Sequence, residues 1–187
     1  MGPSRQELEA AAGRTVPDVA APGLAVLFCG INPGLWSAAV GAHFARPGNR
    51  FWKVLHQAGL TDRLLDPSEQ GLLLAAGIGI TNLVDRATAT ADEITPAELR
   101  LGAGRLEAKV ASLGPAVVAF LGLGAYRTAF RRPGATVGRQ PERMAEAVVW
   151  LLPNPSGLQA RYQLPELVAL FAELGREAGL LPGPATG

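Results

Sequence analysis

The sequence predicts an α/β protein: a single domain with a central, mostly parallel sheet of four to five strands and helices on both faces. Three observations lead there. Four short apolar runs, at residues 25–29, 77–84, 116–121 and 147–152, have the length and composition of buried strands. Stretches of helical character separate them, which is the pattern of strand–helix–strand units packed into covered layers. The 187-residue chain is 48% apolar and only 18% charged, so it can bury a core and is not largely disordered.

Taken in order, residues 1–20 carry two prolines and little periodic apolar character beyond an Ala-rich start, and read as a flexible arm. The domain is expected over residues 21–180, with 181–187 a tail. The first strand stops at Gly30-Ile31-Asn32-Pro33-Gly34, where two glycines and a proline hold a tight turn. Residues 36–47 read as an irregular loop. Asn49-Arg50 then opens a helix whose apolar positions Phe51, Trp52, Val54, Leu55 and Ala58 turn to a core. Asp66 or Ser68 can cap a short helix through Ala76. The second strand empties into a polar loop, residues 85–95, in which Asp85 is expected to pair with Arg86. Thr95-Pro96-Ala97-Glu98 is a helix start with a capping box, and the helix should reach about Leu113. A third strand, a short helix at 123–130, the fourth strand and a final helix at 165–177 complete the chain.

Two of the strands end in Asn-Pro turns: the one around Asn32, and Pro153-Asn154-Pro155-Ser156-Gly157-Leu158. In a parallel sheet both turns fall on the carboxyl edge, where open α/β sheets place their ligands. Gly-Ile-Asn-Pro-Gly-Leu, Asn-Arg-Phe-Trp-Lys and Asn-Pro-Ser-Gly-Leu, in that order, closely resemble the mismatch-specific uracil-DNA glycosylases, the bacterial relatives of thymine-DNA glycosylase. The likeness runs from about Ala21 to about Leu174.

The resemblance implies a DNA-repair hydrolase. It would flip uracil out of mispaired double-stranded DNA and hydrolyse its N-glycosidic bond, leaving an abasic site. Asn32 matches the family's water-positioning asparagine; an amide orients water without acting as a base, so a slow enzyme is implied. Phe44 matches the aromatic that stacks on the base, with packing onto the core as its rival role. Backbone N–H groups at Ile31 and Phe44 would meet the uracil oxygens, and Ser37 and Asn82 match polar pocket positions. Trp36 replaces a residue that is small in relatives. Asn154 stands where the uracil-specific branch has histidine, and Asn32 where it has a carboxylate, which implies weaker discrimination and reliance on an unstable pair. Gly157 and Leu158 match the wedge that enters the duplex, against the alternative of Leu158 as a core anchor for the last helix. Arg161 resembles a nearby family arginine. The negative charge near the sugar has no assigned source; Asp92 is the carboxylate to test, and a first-turn helix acid is its alternative. Asn49 and Lys53 read as structural first, and His43 and His56 as ordinary loop and helix residues.

Net charge is only +1, but residues 120–163 hold six arginines against two glutamates, a solvated face or a phosphate patch in equal measure. The single Cys29 allows no internal disulfide, and with two histidines no metal cage. It also argues against branches of the superfamily with a four-cysteine iron–sulfur cluster. No cofactor is expected, and a monomer is. With no leader and no apolar run of membrane length, the reading is cytoplasmic, without membrane contact. Two other classes stay open: a nucleotide-binding module using Gly122-Leu123-Gly124 as a phosphate cradle, and a mismatch-binding protein that leaves the sugar bond intact.

Overall fold

A computed structural model describes residues 2–158 and 161–183. Five strands form one sheet: β1 (Val26–Gly30), β2 (Ile78–Asn82), β3 (Val117–Leu121), β4 (Gly138–Met144) and β5 (Ala147–Leu152). Their spatial order is β2-β1-β3-β5-β4, with β4 alone antiparallel. The four expected strands are the four parallel ones. The fifth was not legible, because Gly138–Met144 is charged and contains a proline. Those features suit an edge strand, which must not invite further pairing.

Strands β1, β2 and β3 are buried throughout, β5 at all but Val148, and they send alternate side chains to the two faces. Val26, Phe28, Ile78, Ile80, Val117, Ala119 and Trp150 meet helices α3 (Phe51–Gln57) and α6 (Leu164–Glu177) on one side. Leu27, Cys29, Val118, Phe120, Val149 and Leu151 meet α4 (Pro96–Leu113) and α5 (Leu123–Ala129) on the other. Helices on both faces of a mostly parallel sheet are what the sequence led one to expect. The caps agree as well. Thr95 Oγ1 accepts the Glu98 N–H at 3.2 Å while Glu98 accepts the Thr95 N–H at 2.9 Å. Asp66 caps a 3₁₀ helix, Pro67–Ala76, by accepting the Ser68 N–H at 3.0 Å.

Three local expectations need correction. The loop expected at 36–47 opens with a helix, α2 (Leu35–Val40), closed by Gly41 at φ 72°. Asp85 does not take Arg86; the guanidinium goes to Glu98 at 2.6 Å, twelve residues on, where the N-terminus of α4 also draws the carboxylate. Residues 2–20, read as an arm, carry α1 (Arg5–Ala10) and bury Ala11 and Val16 against Ala38 and Ala87. Val19 pairs with Ile80 on the outer edge of β2, N–H to C=O at 2.9 and 2.7 Å. Asp18 accepts from Thr81 Oγ1 at 2.8 Å and pairs with Lys109. Of the expected tail, residues 184–187 lie outside the described residues. Among the described residues no helix is long and apolar enough to cross a membrane.

Candidate active site

Because β1, β3 and β5 run parallel, the turns after β1 and β5 leave the same edge of the sheet. They meet across a cleft of about 140 Å³ lined by Ile31, Asn32, Ser37, Phe44, Asn82 and Asn154, with His43, Asn49, Thr88 and Arg46 beside them. Among the described residues lining it there is no carboxylate, and Arg46 is the one cation. Four asparagines and four hydroxyl residues of the lining instead offer neutral, oriented dipoles.

Asn32 is fixed most firmly. Its Nδ2 donates to Thr88 Oγ1 at 2.7 Å, to the Arg86 carbonyl at 3.0 Å and to the Pro33 carbonyl at 3.2 Å. The Thr88 hydroxyl gives its own hydrogen to the Thr90 carbonyl at 2.7 Å, so toward Asn32 it can only accept. Every partner of the nitrogen is thus an acceptor, which settles which end of the amide is which. Oδ1 meets no donor among the described residues. The loop after β2 clasps the turn after β1: Thr88 N–H also donates to the Pro33 carbonyl at 3.2 Å.

Phe44 sits at φ 53°, a left-handed conformation that a bulky side chain adopts only at a cost of about 1 kcal/mol. Its ring stacks on Phe51, centroids 4.2 Å apart and 32° tilted, while lining the cleft above. Packing and cleft positions are therefore not rivals for this residue. Gly30 forms part of the floor. A Cβ there would stand 2.6 Å from Asn82 Oδ1 and 3.2 Å from the Phe44 ring, so a side chain would fill the space beneath them. Ser37 is buried and accepts the Ala45 N–H at 3.2 Å, tying α2 to the Phe44 segment. Asn154 folds back to accept the Ser156 N–H at 3.0 Å, an Asx turn. Asn49 accepts the Phe51 N–H at 2.9 Å, a structural role in keeping with its place before a helix.

The Gly157-Leu158 turn stands beside the cleft mouth. Leu158 is 77% exposed, so it does not anchor the last helix in the core. Gly157 passes so close to Gly48 that a Cβ would lie 2.6 Å from that carbonyl oxygen. Arg50 holds the turn from below, donating to the carbonyls of Pro155 at 3.3 Å, Ser156 at 2.9 Å and Tyr162 at 2.7 Å. Arg161 lies over the Tyr162 ring at 5.6 Å; Gln159 and Ala160 between are outside the described residues.

Asp92 is not brought into this group. It is exposed on a single 3₁₀ turn, Ala91–Glu93, and the lining ends at Ala91. The capping acid of that turn is its neighbour Glu93, which accepts the Thr90 N–H at 2.9 Å. Trp36 does not shape the cleft either; its indole lies against Gly2. Most arginines of the arginine-rich stretch have partners within the chain, several of them at its surface. Arg127 donates to the Ala135 carbonyl at 2.6 Å, Arg132 and Arg139 pair with Glu142 and Glu177, and Arg143 donates to the Glu146 carbonyl. Gly122 is no open cradle: its N–H continues the sheet to Leu152 at 2.9 Å and Ile31 packs on its Cα side.

Among the lining residues that escaped the sequence reading, two matter most to the geometry. Thr88 gave no signal beyond membership of a polar loop. His43 was read as an ordinary loop residue, yet it is 2% exposed and bonded on both ring nitrogens.

In solved structures the fold is similar to that of a candidate uracil DNA glycosylase from Methanosarcina acetivorans determined by NMR in solution. The two are 22% identical, with 87% of this chain and 98% of that one covered, at a TM-score of 0.56. The family model described as the uracil DNA glycosylase superfamily matches residues 17–175, which include every residue of the cleft. The chain belongs to the uracil DNA glycosylase superfamily.

Proposed function

We propose that this protein is a DNA glycosylase that releases uracil from mispaired double-stranded DNA by hydrolysing the N-glycosidic bond, with the nucleotide flipped into the cleft described above. Superfamily membership supports uracil in DNA as the substrate. The observation that carries the mechanism is the state of Asn32. With its nitrogen committed to three acceptors, its oxygen is the one polar end left to accept from a water in the cleft. That water would attack the anomeric carbon as the base departs as an anion, and the proton that the water loses passes to solvent or to the departing base. Because the amide cannot take the proton, the gain comes from placing the water and from donors at the base oxygens rather than from general-base chemistry.

In this reading Phe44 stacks on the base and is itself backed by Phe51. Ser37, Asn154 and the N–H groups of Ile31 and Phe44 supply polar contacts, and Leu158 fills the space that the flipped nucleotide vacates. Arg161 contacts the strand near the wedge. Thymine and ethenocytosine are further candidate bases. A lining that among the described residues has no carboxylate suits a slow enzyme that depends on the weakness of a mispair. Asp92 acts as a charge at the sugar only if its loop closes on the bound nucleotide.

The decisive experiment incubates an end-labelled duplex with one U·G pair and treats it with hot alkali. Strand breaks at the uracil position are expected with the wild type and should be lost in Asn32→Ala, which should still bind abasic DNA. Retention of the duplex without breaks would identify a mismatch binder, and no binding at all would remove DNA as the partner.

A further inference from the structure

His43 has no part in the mechanism above, yet it is among the most constrained residues of the molecule. Its backbone N–H donates to Gln70 Oε1 at 2.8 Å, its carbonyl accepts from Trp52 Nε1 at 3.1 Å, and its ring is buried. Nε2 lies 2.9 Å from the Pro17 carbonyl oxygen. A carbonyl can only accept, so Nε2 carries the hydrogen; the other tautomer would set two acceptors face to face. In the neutral ring Nδ1 is then bare, and 3.3 Å away stands the side-chain nitrogen of Asn82. That nitrogen must be the amide NH₂, because the amide oxygen there would again oppose two lone pairs. Burial disfavours the imidazolium and keeps the ring neutral near pH 7.

The consequence falls on the cleft. With NH₂ drawn to His43, Asn82 Oδ1 is turned toward the floor at Gly30. It meets no donor among the described residues and is not a buried orphan, since among them only Trp150 Nε1 has that status. Asn82 thus offers the cleft an acceptor. The Pro17 carbonyl that fixes the histidine is itself fixed, because its neighbour Asp18 is held by Thr81 and Lys109 and Val19 is paired to β2.

We propose that His43 is a positioning residue that sets base selectivity, by locking the Asn82 amide with its oxygen toward the bound base. A pyrimidine with an N–H at ring position 3, such as uracil or thymine, is then taken, and one with a bare nitrogen there, cytosine, is refused. The inference rests on the cleft being the base pocket, and residues 17–19 become part of the selectivity device rather than an appendage.

Two measurements test it, neither needing turnover. Imidazole nitrogen NMR of the ¹⁵N-labelled protein at pH 7.5 should show Nε2 protonated and Nδ1 bare for His43; the opposite tautomer overturns the proposal. Titration of cleft resonances with free uracil and free cytosine should show uracil preferred at least about tenfold, the scale of one oriented hydrogen bond gained and one acceptor clash avoided. His43→Phe, which keeps a ring of similar size, should bring the ratio within about threefold. His43→Asn, able to present an oxygen where Nδ1 stood, should retain most of it. An unchanged ratio in a folded His43→Phe, or equal binding of both bases by the wild type, refutes the role of His43. Should His43→Phe not fold, loss of the ratio in His43→Asn despite native melting refutes it equally. A wild type that prefers uracil but cuts no U·G duplex would instead sink the glycosylase reading and leave His43 assigned.

Discussion

Asn32 and Thr88 act as one unit, since the hydroxyl that holds the amide is itself oriented by the Thr90 carbonyl. Asn32→Ala is expected to lower the single-turnover rate by at least about two orders of magnitude, the usual effect of losing one positioned catalytic group. Thr88→Val keeps the shape but removes the acceptor, and should cost roughly tenfold in rate with abasic-site binding intact. A Thr88→Val rate equal to wild type would show that the two carbonyls alone fix the amide. Asp92→Asn should leave the rate within about twofold, since the carboxylate is exposed beyond the lining; a tenfold loss would place its charge at the sugar after all. At this scale the sequence pointed to Asn32, Phe44, Ser37 and Asn154, in or near a motif, and to Asn82, which matches a polar pocket position of the family that the chain resembles. It could not point to Thr88 or His43. Their partners lie 56 and 26 residues away in the chain, and no local pattern marks such a meeting.

Among the elements, the turn carrying Leu158 is the most testable. Held at Pro155, Ser156 and Tyr162 by Arg50, it presents an apolar side chain to solvent at a real solvation cost. If Leu158 fills the stack, Leu158→Ala should reduce single-turnover activity most on U·A, less on U·G and least on single-stranded uracil, because unstacking is cheapest where pairing is weakest. Its melting temperature should not change. A uniform loss on all three substrates would retire the wedge. The elements read correctly in advance were those with strong local chemistry: continuous apolar strands, the Thr95–Glu98 box and the Asp66 cap. Those misread were α2, β4 and the segment before β1. Their stability comes from neighbours that a local reading does not see: small alanines against Ala87, an edge position, and pairing to β2.

For the whole molecule, acid should act in two windows. The His43 pKa is depressed by burial, so as pH falls below about 6.5 the unfolded chain takes up a proton that the folded one resists. Stability present above that value is therefore lost on acidification, and denaturant midpoints between pH 7.5 and 5.5 should fall in the wild type but stay nearly level in His43→Phe. Glu69 and Glu98, each drawn to about 2 first by an arginine, remain ionised in the fold where the free side chain protonates near 4.5. Their contribution persists to lower pH and disappears between those values, so a second fall is expected there. Base release should be unaffected by EDTA, since among the described residues no cluster of three metal-binding side chains exists; activity lost on chelation and restored by a divalent ion would contradict this. By itself the sequence determined the layer architecture, the four parallel strands and the pair of Asn-Pro turns, because apolar runs, caps and turn residues are local and their physics is read within a few positions. Only the tertiary structure decided that the two turns close on one cleft with no carboxylate among the described residues of its lining, that Arg50 braces the turn carrying Leu158, and that Pro17 reaches His43 and through it Asn82. Those outcomes depend on hydrogen bonds between groups far apart in the chain, whose directions exist only once the sheet has set them.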